Sequence, residues 1–424
     1  MMKENISMVK RYLLVSALLL GVSEVMALAP FNMFRPFDPN FFPNHWSDQK
    51  VQFMPILSWG ASHPHGRTGA GDTVNVLQTL FPTQDALAML KGFPPTSQQA
   101  QLGQLINIDN DDGVRGHFVV TGNLKARFAG SFTGWYYWDN GLWAGLCLPI
   151  MSLKIDNVTW VDQTQNVTLD DALTHQYLTD NFAQNVASLG NGLSIGDWSK
   201  AGIGDLSTLF GWKRSFFQEK QWLKEAVVNV RMVVEFPTGV KRDEDVAVSL
   251  AFGNDGAYTF SIGGGLDLRF RKIFWAGVDV MFMKMFSHTR DYRIQTDSTQ
   301  TNLLNLEKTP GRKEYAITQY FNLYVEPYLY KNLTVRFAYE HIKHGNDKLF
   351  VISNDWSSLA ANTAAILQEW TTHDLIIQAK YDCADPKKEN NRFKPQIIGF
   401  GKMPFNGKRS LQVSLIGLSV TFSF

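Results

Sequence analysis

The last fourteen residues, Leu411 to Phe424, end the chain on an aromatic and alternate strictly on the way there. Phe424, Phe422, Val420, Leu418 and Ile416 are apolar, and Ser423, Thr421, Ser419 and Gly417 between them are small or polar. Successive side chains of a strand point to opposite faces, so this segment has one apolar face and one polar face. Two folds place such a strand at a chain end. One is the edge of a soluble sandwich, with the apolar face inward; the other is a membrane barrel, with the apolar face in lipid.

The other end of the chain favours the barrel. Lys3, Lys10 and Arg11 form a positive start, and Tyr12 to Val22 form an apolar run of eleven residues. Val25-Met26-Ala27 then offers the small residues a signal peptidase needs, making Leu28 the expected first mature residue. Eleven apolar residues do not cross a bilayer, which takes roughly 20. Nowhere else do 18 apolar residues run without a charge, so a membrane-resident form must cross with strands. The absence of Cys near the cleavage site excludes a lipoprotein anchor. An exported chain closed by an aromatic-ended strand resembles bacterial outer-membrane β-barrels. That resemblance implies residence among outer-membrane lipids, with Phe422 and Phe424 as the insertion signal read by the barrel-assembly machinery.

Mean hydropathy is −0.15 with 45% hydrophobic residues, too low for a helical membrane protein. A barrel tolerates this average because half of each strand faces water. The aromatic content of 13% suits interfacial girdles. Without residues 1–27 the chain carries 37 basic and 37 acidic residues, which points to neither nucleic acid nor a polyanionic substrate. Cys147 and Cys383, far apart in sequence, are expected to be lone thiols.

Residues 28–50 are Pro-broken and aperiodic, and read as a periplasmic or plugging arm ahead of a barrel over 51–424. About twelve strands, within a range of 12–14, follow: 51–60, 116–137, 141–156, 202–217, 225–236, 256–270, 273–288, 314–330, 333–345, 372–383, 394–404 and 410–424. Long connections follow the odd-numbered strands up to the ninth, and most others are tight, such as Asp139-Asn140 and Arg271-Lys272. The expected fold is all-β: a transmembrane antiparallel up-and-down barrel with long external loops. Thr168-x-x-Asp171 looks like a helix start in one loop. Residues 359–367 suggest a second loop helix and 85–91 a short third.

Parity assigns a mixed interior. Lys125, Arg127, Arg231, Arg269, Arg336 and Lys380 face inward with Glu235, Asp267, Asp279, Glu326 and Glu340. Such charges either line a wet pore or pair across strands and fill a narrow lumen. In 273–288 the parity that turns Phe274, Val278, Val280, Phe282 and Phe286 outward turns Met281, Met283 and Met285 inward. They would adjoin Tyr320, Tyr324 and Tyr328 and line a lane for an apolar or aromatic molecule. A bulge that flips parity would instead put the Met side chains in lipid.

Gly202-Ile203-Gly204-Asp205, running on to Trp212-Lys213-Arg214, and Pro237-Thr238-Gly239 after the next strand carry a further resemblance. They are similar to motifs of the porin-like family linked to phenol meta-cleavage pathways, which is related to FadL-type hydrophobic-compound channels. The resemblance covers about seventy residues, 202–270. It implies passive uptake of small hydrophobic or aromatic solutes, with these Gly, Asp, Pro and Thr residues shaping strand ends.

No catalytic residue, cofactor site or metal site is nominated. His341 and His344 are an odd number of residues apart and face opposite sides of a strand, and His63-Pro-His65 lacks nearby carboxylates or thiols. No Gly-x-Ser-x-Gly occurs. A surface or adhesive barrel with a closed lumen is the alternative to a channel, and a membrane hydrolase is a third reading.

Overall fold

The computed structural model describes residues 40, 50–61, 64–108, 113–271, 273–330, 332–383 and 395–424. The export signal, most of the 28–50 arm, and His63 lie outside these residues.

Twelve antiparallel strands close into one barrel. They are β1 (Val51–Gly60), β2 (His117–Tyr137), β3 (Leu142–Asp162), β4 (Leu206–Phe217), β5 (Leu223–Phe236) and β6 (Thr259–Phe270). The second half comprises β7 (Phe274–Met285), β8 (Ile317–Tyr330), β9 (Leu333–His344), β10 (Trp370–Asp382), β11 (Gln396–Lys408) and β12 (Leu415–Ser423). Each strand pairs with its sequence neighbours, and β12 closes the ring on β1 through Phe422↔Phe53 and Leu418↔Leu57. Both Val51 and Phe424 lie at the end that carries the tight turns, joined by the Phe424 N–H donating to the Val51 carbonyl at 2.9 Å.

The alternating pattern decides which face is which. Phe53, Leu57, Phe132, Phe282, Leu323 and Leu418 are exposed, while Met54, Thr133, Met283, Asn322 and Ser419 are buried. Large apolar side chains are thus exposed on every barrel strand, a distribution that water-soluble monomers rarely present. With the apolar set outside and the polar set inside, the chain spans a bilayer with strands.

β2 and β3 have 21 residues each, about twice what a strand needs to cross. Their far halves stand beyond the barrel rim. Register shifts at Thr121/Asn123 and Ala126/Phe128 turn the pattern over on the way. Leu124 and Ala126 therefore face inward and pack under the loops with Leu77, Phe182 and Leu303. Lys125 and Arg127, placed inward by parity, are exposed instead; the bulge at Arg127 reverses the faces. Lys125 pairs with Asp156 at 2.9 Å outside the lumen. Tyr315 precedes β8 and is buried under the loops.

The loops carry helices α1 (Gln98–Leu105), α2 (Leu169–Thr174), α3 (Phe182–Leu189) and α4 (Ser358–Ala361). Thr168 and Asp171 form the expected capping box on α2. The stretch 85–91 holds a single 3-10 turn, Ala88–Leu90. α1 reads Gln-Gln-Ala-Gln-Leu-Gly-Gln-Leu, with no apolar stripe to announce it, and starts on the Ser97 cap. Cys147 is buried and accepts from Thr133 Oγ1 at 3.1 Å, Cys383 is exposed, and the two form no disulfide.

Candidate functional site

The inward face is sorted by height. Nearest the turn end, Glu326 accepts from Arg336 Nε at 2.6 Å and from Lys380 Nζ at 3.0 Å, with all three buried. The Arg336 guanidinium lies 3.9 Å from the Tyr324 ring centroid and donates to the Asn40 carbonyl at 3.1 Å. Asn40 is itself buried and donates to Asn322 Oδ1 at 3.1 Å, so this residue lies inside the lumen. Trp275 Nε1 donates to Tyr328 Oη at 2.7 Å, and Arg269 pairs with Glu225 at 3.4 Å.

Above this, Tyr324 Oη donates to Asp267 at 2.7 Å across Gly277. Gly277 is small for that reason: a Cβ there would sit 2.3 Å from the Tyr324 ring. Arg231 grips Asp279 with both terminal nitrogens, one of them at 2.6 Å. Glu340 accepts from Tyr320 Oη at 3.1 Å and Lys402 Nζ at 2.6 Å. Each of these charges has a partner on a nearby strand, the arrangement that makes a buried charge tolerable.

Toward the loop end the character changes. Met281, Met283 and Met285 are all buried on the inward face of β7, aligned with Gly263, Ser261 and Thr259 on β6. With Met54, Trp135, Trp143, Val233, Tyr320, Ile342 and Trp370, the first two form an apolar cluster inside the barrel. Met285 and Trp370 also floor a cavity of about 140 Å³ walled by loops. Val248, Leu250, Ile294, Leu303, Leu349 and Leu367 supply its apolar wall. Arg242, Arg290, Tyr292, Tyr315, His344 and Asp347 supply its polar one.

Most of those polar groups are spoken for. Arg290 bridges Glu244 and Asp255, the latter at 2.7 Å. Asp347 accepts from Lys313 at 3.0 Å and contacts His344 Nε2 at 2.8 Å. Burial alone would raise the Asp347 carboxyl, but Lys313 and His344 overcome it and hold the group at about 2. His288, stacked on Tyr315 at 5.9 Å, is pushed down to about 4 by burial and by Arg290, Lys313 and Lys241. Arg242 reaches the Ala247 carbonyl at 3.4 Å, and its buried Nε, like that of Arg290, has no hydrogen-bond partner.

The sequence motifs at 202–205 and 237–239 converge on one rim of this cavity. The Asp205 carboxylate accepts from the Gly239 N–H at 2.8 Å and the Asn254 N–H at 2.5 Å. Thr238 Oγ1 accepts from the Leu206 N–H at 2.9 Å and donates to the Gly204 carbonyl at 3.3 Å. Gly253 passes so close that a Cβ would lie 2.2 Å from Asp205 Oδ2. Glu235 accepts from Asn254 Nδ2 at 2.7 Å and completes the clasp. Loop 237–258 is thereby folded inward, bringing Val248, Leu250 and Arg242 to the cavity wall. Asp205→Ala leaves two backbone N–H groups unsatisfied at about 1–3 kcal/mol each. The expected outcome is rapid cleavage within 240–250 under limited proteolysis, with the barrel strands still protected.

Solved structures similar to this chain include outer-membrane channels, the transport unit of one autotransporter and the beta domain of another. The COG4313 outer-membrane channel from Pseudomonas putida F1 is 10% identical with a TM-score of 0.49, over 90% of this chain and 99% of that one. The CymD monoaromatic hydrocarbon channel is 12% identical with a TM-score of 0.32, over 89% of each chain. The Pseudomonas putida toluene transporter TodX is 10% identical with a TM-score of 0.31, over 94% of each. No family model matches the chain, and no curated relative matches it by sequence.

Of the residues nominated from sequence, the three Met and Tyr320 come together beneath the cavity. Tyr324 and Tyr328 lie lower and are engaged by Asp267 and Trp275. The cavity's own wall was not nominated. Trp370 begins β10 just ahead of the strand read from sequence. Arg242, Tyr292 and Leu303 come from loops with no period to follow.

Proposed function

We propose that this protein is a passive outer-membrane channel that admits small apolar or aromatic solutes through the loop-end cavity onto the methionine column. One observation carries the reading: the apolar stretch Met285, Met283, Met281, with Trp370 and Tyr320 beside it, where barrel interiors are ordinarily polar. A cavity of about 150 Å³ with an apolar wall is enough to hold benzene, and the one here is of that size. Thioethers adapt to varied shapes, which suits a lane rather than a single-ligand pocket. Arg242 gives a solute with one polar group a donor to orient against. In this reading residues 1–27 are a cleaved export signal. Phe422 and Phe424 are then read by the assembly machinery, and the protein acts as a transporter rather than an enzyme.

The ion-paired layers around Glu326 and the buried Asn40 favour a second reading, a surface barrel with a closed lumen. Planar-bilayer recording of the mature chain, residues 28–424, separates the two. Steady openings that an added aromatic solute blocks are expected of the channel. A folded, heat-modifiable barrel with neither conductance nor uptake of an aromatic solute into proteoliposomes would overturn it.

A further inference from the structure

The outer face of the barrel carries a pair of imidazoles that the transport reading does not use. β9 and β10 place His341 and His373 directly opposite one another. Their ring centroids are 4.6 Å apart with planes inclined by 37°. Both are half-buried on the outward face, above exposed Phe337 and Leu375 on the same two strands. His344, by contrast, is buried on the inner face.

The surroundings orient this pair. Tyr339, two residues along β9 on the same face, holds its hydroxyl 2.7 Å from His373 Nδ1. A register shift between His373 and Asp374 adds Phe405 to the opposing strand, and its ring stands 6.1 Å from that of His373. The nearby Lys343 is paired with Glu369 at 3.1 Å.

We propose that His341 and His373 together bind one divalent transition cation, of the Zn²⁺, Ni²⁺ or Cu²⁺ class, on the outer surface of the barrel. Opposite residues of an antiparallel pair have Cβ atoms about 4.5–5.5 Å apart, so both rings reach one ion at the usual Zn–N length of roughly 2.0–2.1 Å. A hydrogen bond that occupies one ring nitrogen fixes the ring and leaves the other for the metal. Here Tyr339 occupies Nδ1 of His373 and leaves Nε2. Neutral imidazole suits this group of metals, and the pair lies three residues from the loop ends of β9 and β10, at the edge of the lipid-facing band, where water fills the remaining positions. The pair escapes a reading of local spacing because its members are 32 residues apart and meet only through strand register.

The test is calorimetric titration of Zn²⁺ into the tag-free full chain in detergent micelles, alongside His341→Gln and His373→Gln. Gel mobility before and after heating confirms that each variant is folded. Either substitution is expected to weaken one zinc site by at least about tenfold. Cu²⁺ electron paramagnetic resonance is expected to show two nitrogen ligands in the parent and one in each variant. A parent that binds no zinc, or a double variant that binds it as tightly as the parent, overturns the proposal.

Discussion

Glu326→Gln is expected to lower the unfolding free energy of the barrel by about 3–5 kcal/mol, read by urea titration in lipid vesicles. The substitution keeps the shape of the side chain and removes only its charge. Arg336 and Lys380, both buried on the neighbouring strands β9 and β10, are then left side by side without the carboxylate that receives both. A buried pair broken from one side costs far more than the pair contributed when whole, because the remaining charges stay desolvated. Arg336 has no easy escape: its guanidinium is stacked on Tyr324 and bonded to the Asn40 carbonyl. Glu314→Gln is the control. Its partner Arg312 lies 2.8 Å away, but the two side chains are 50% and 43% exposed, and such pairs contribute about 0–1 kcal/mol. Equal losses for the two variants would show that the interior of the barrel is wetter than its packing implies.

The contrast between those two pairs also marks what the sequence can and cannot convey. Strand number and direction follow from period-2 alternation and from turns such as Asp139-Asn140, because a barrel repeats one local rule twelve times. The same rule placed Arg231, Asp267, Arg269, Glu326, Arg336 and Glu340 inward, where they lie. It failed at Lys125 and Arg127, since a single extra residue in β2 reverses every side chain beyond it and leaves no mark in composition. Which charges meet is a matter of register across strands, as with Arg231 on β5 and Asp279 on β7. Loop 237–258 shows an intermediate case. Its anchoring residues were legible as a motif, while the cavity wall they position was not, because the fold of an aperiodic loop depends on the contacts made by Asp205 and Glu235.

Met283→Lys tests the lane itself, and its expected effect is a fall of at least about tenfold in uptake of an aromatic solute by proteoliposomes. Met283 lies on the buried face between Ser261 of β6 and Thr318 of β8, neither of which carries a charge to receive an ammonium. A solute passing this point must strip water from the new charge, and 1.4 kcal/mol of added barrier suffices for a tenfold change. Lys also has nearly the length of Met, so the effect reports polarity rather than bulk. Met283→Leu, which conserves volume and apolar character, is expected to stay within about twofold of the parent. The two variants together separate the lane from the fold, since a structural role for Met283 would show in urea unfolding as well as in uptake. Uptake unchanged in a folded Met283→Lys barrel would mean that solutes do not pass along β7. The apolar column would then be packing alone, and the closed-lumen reading would follow from the same side chains.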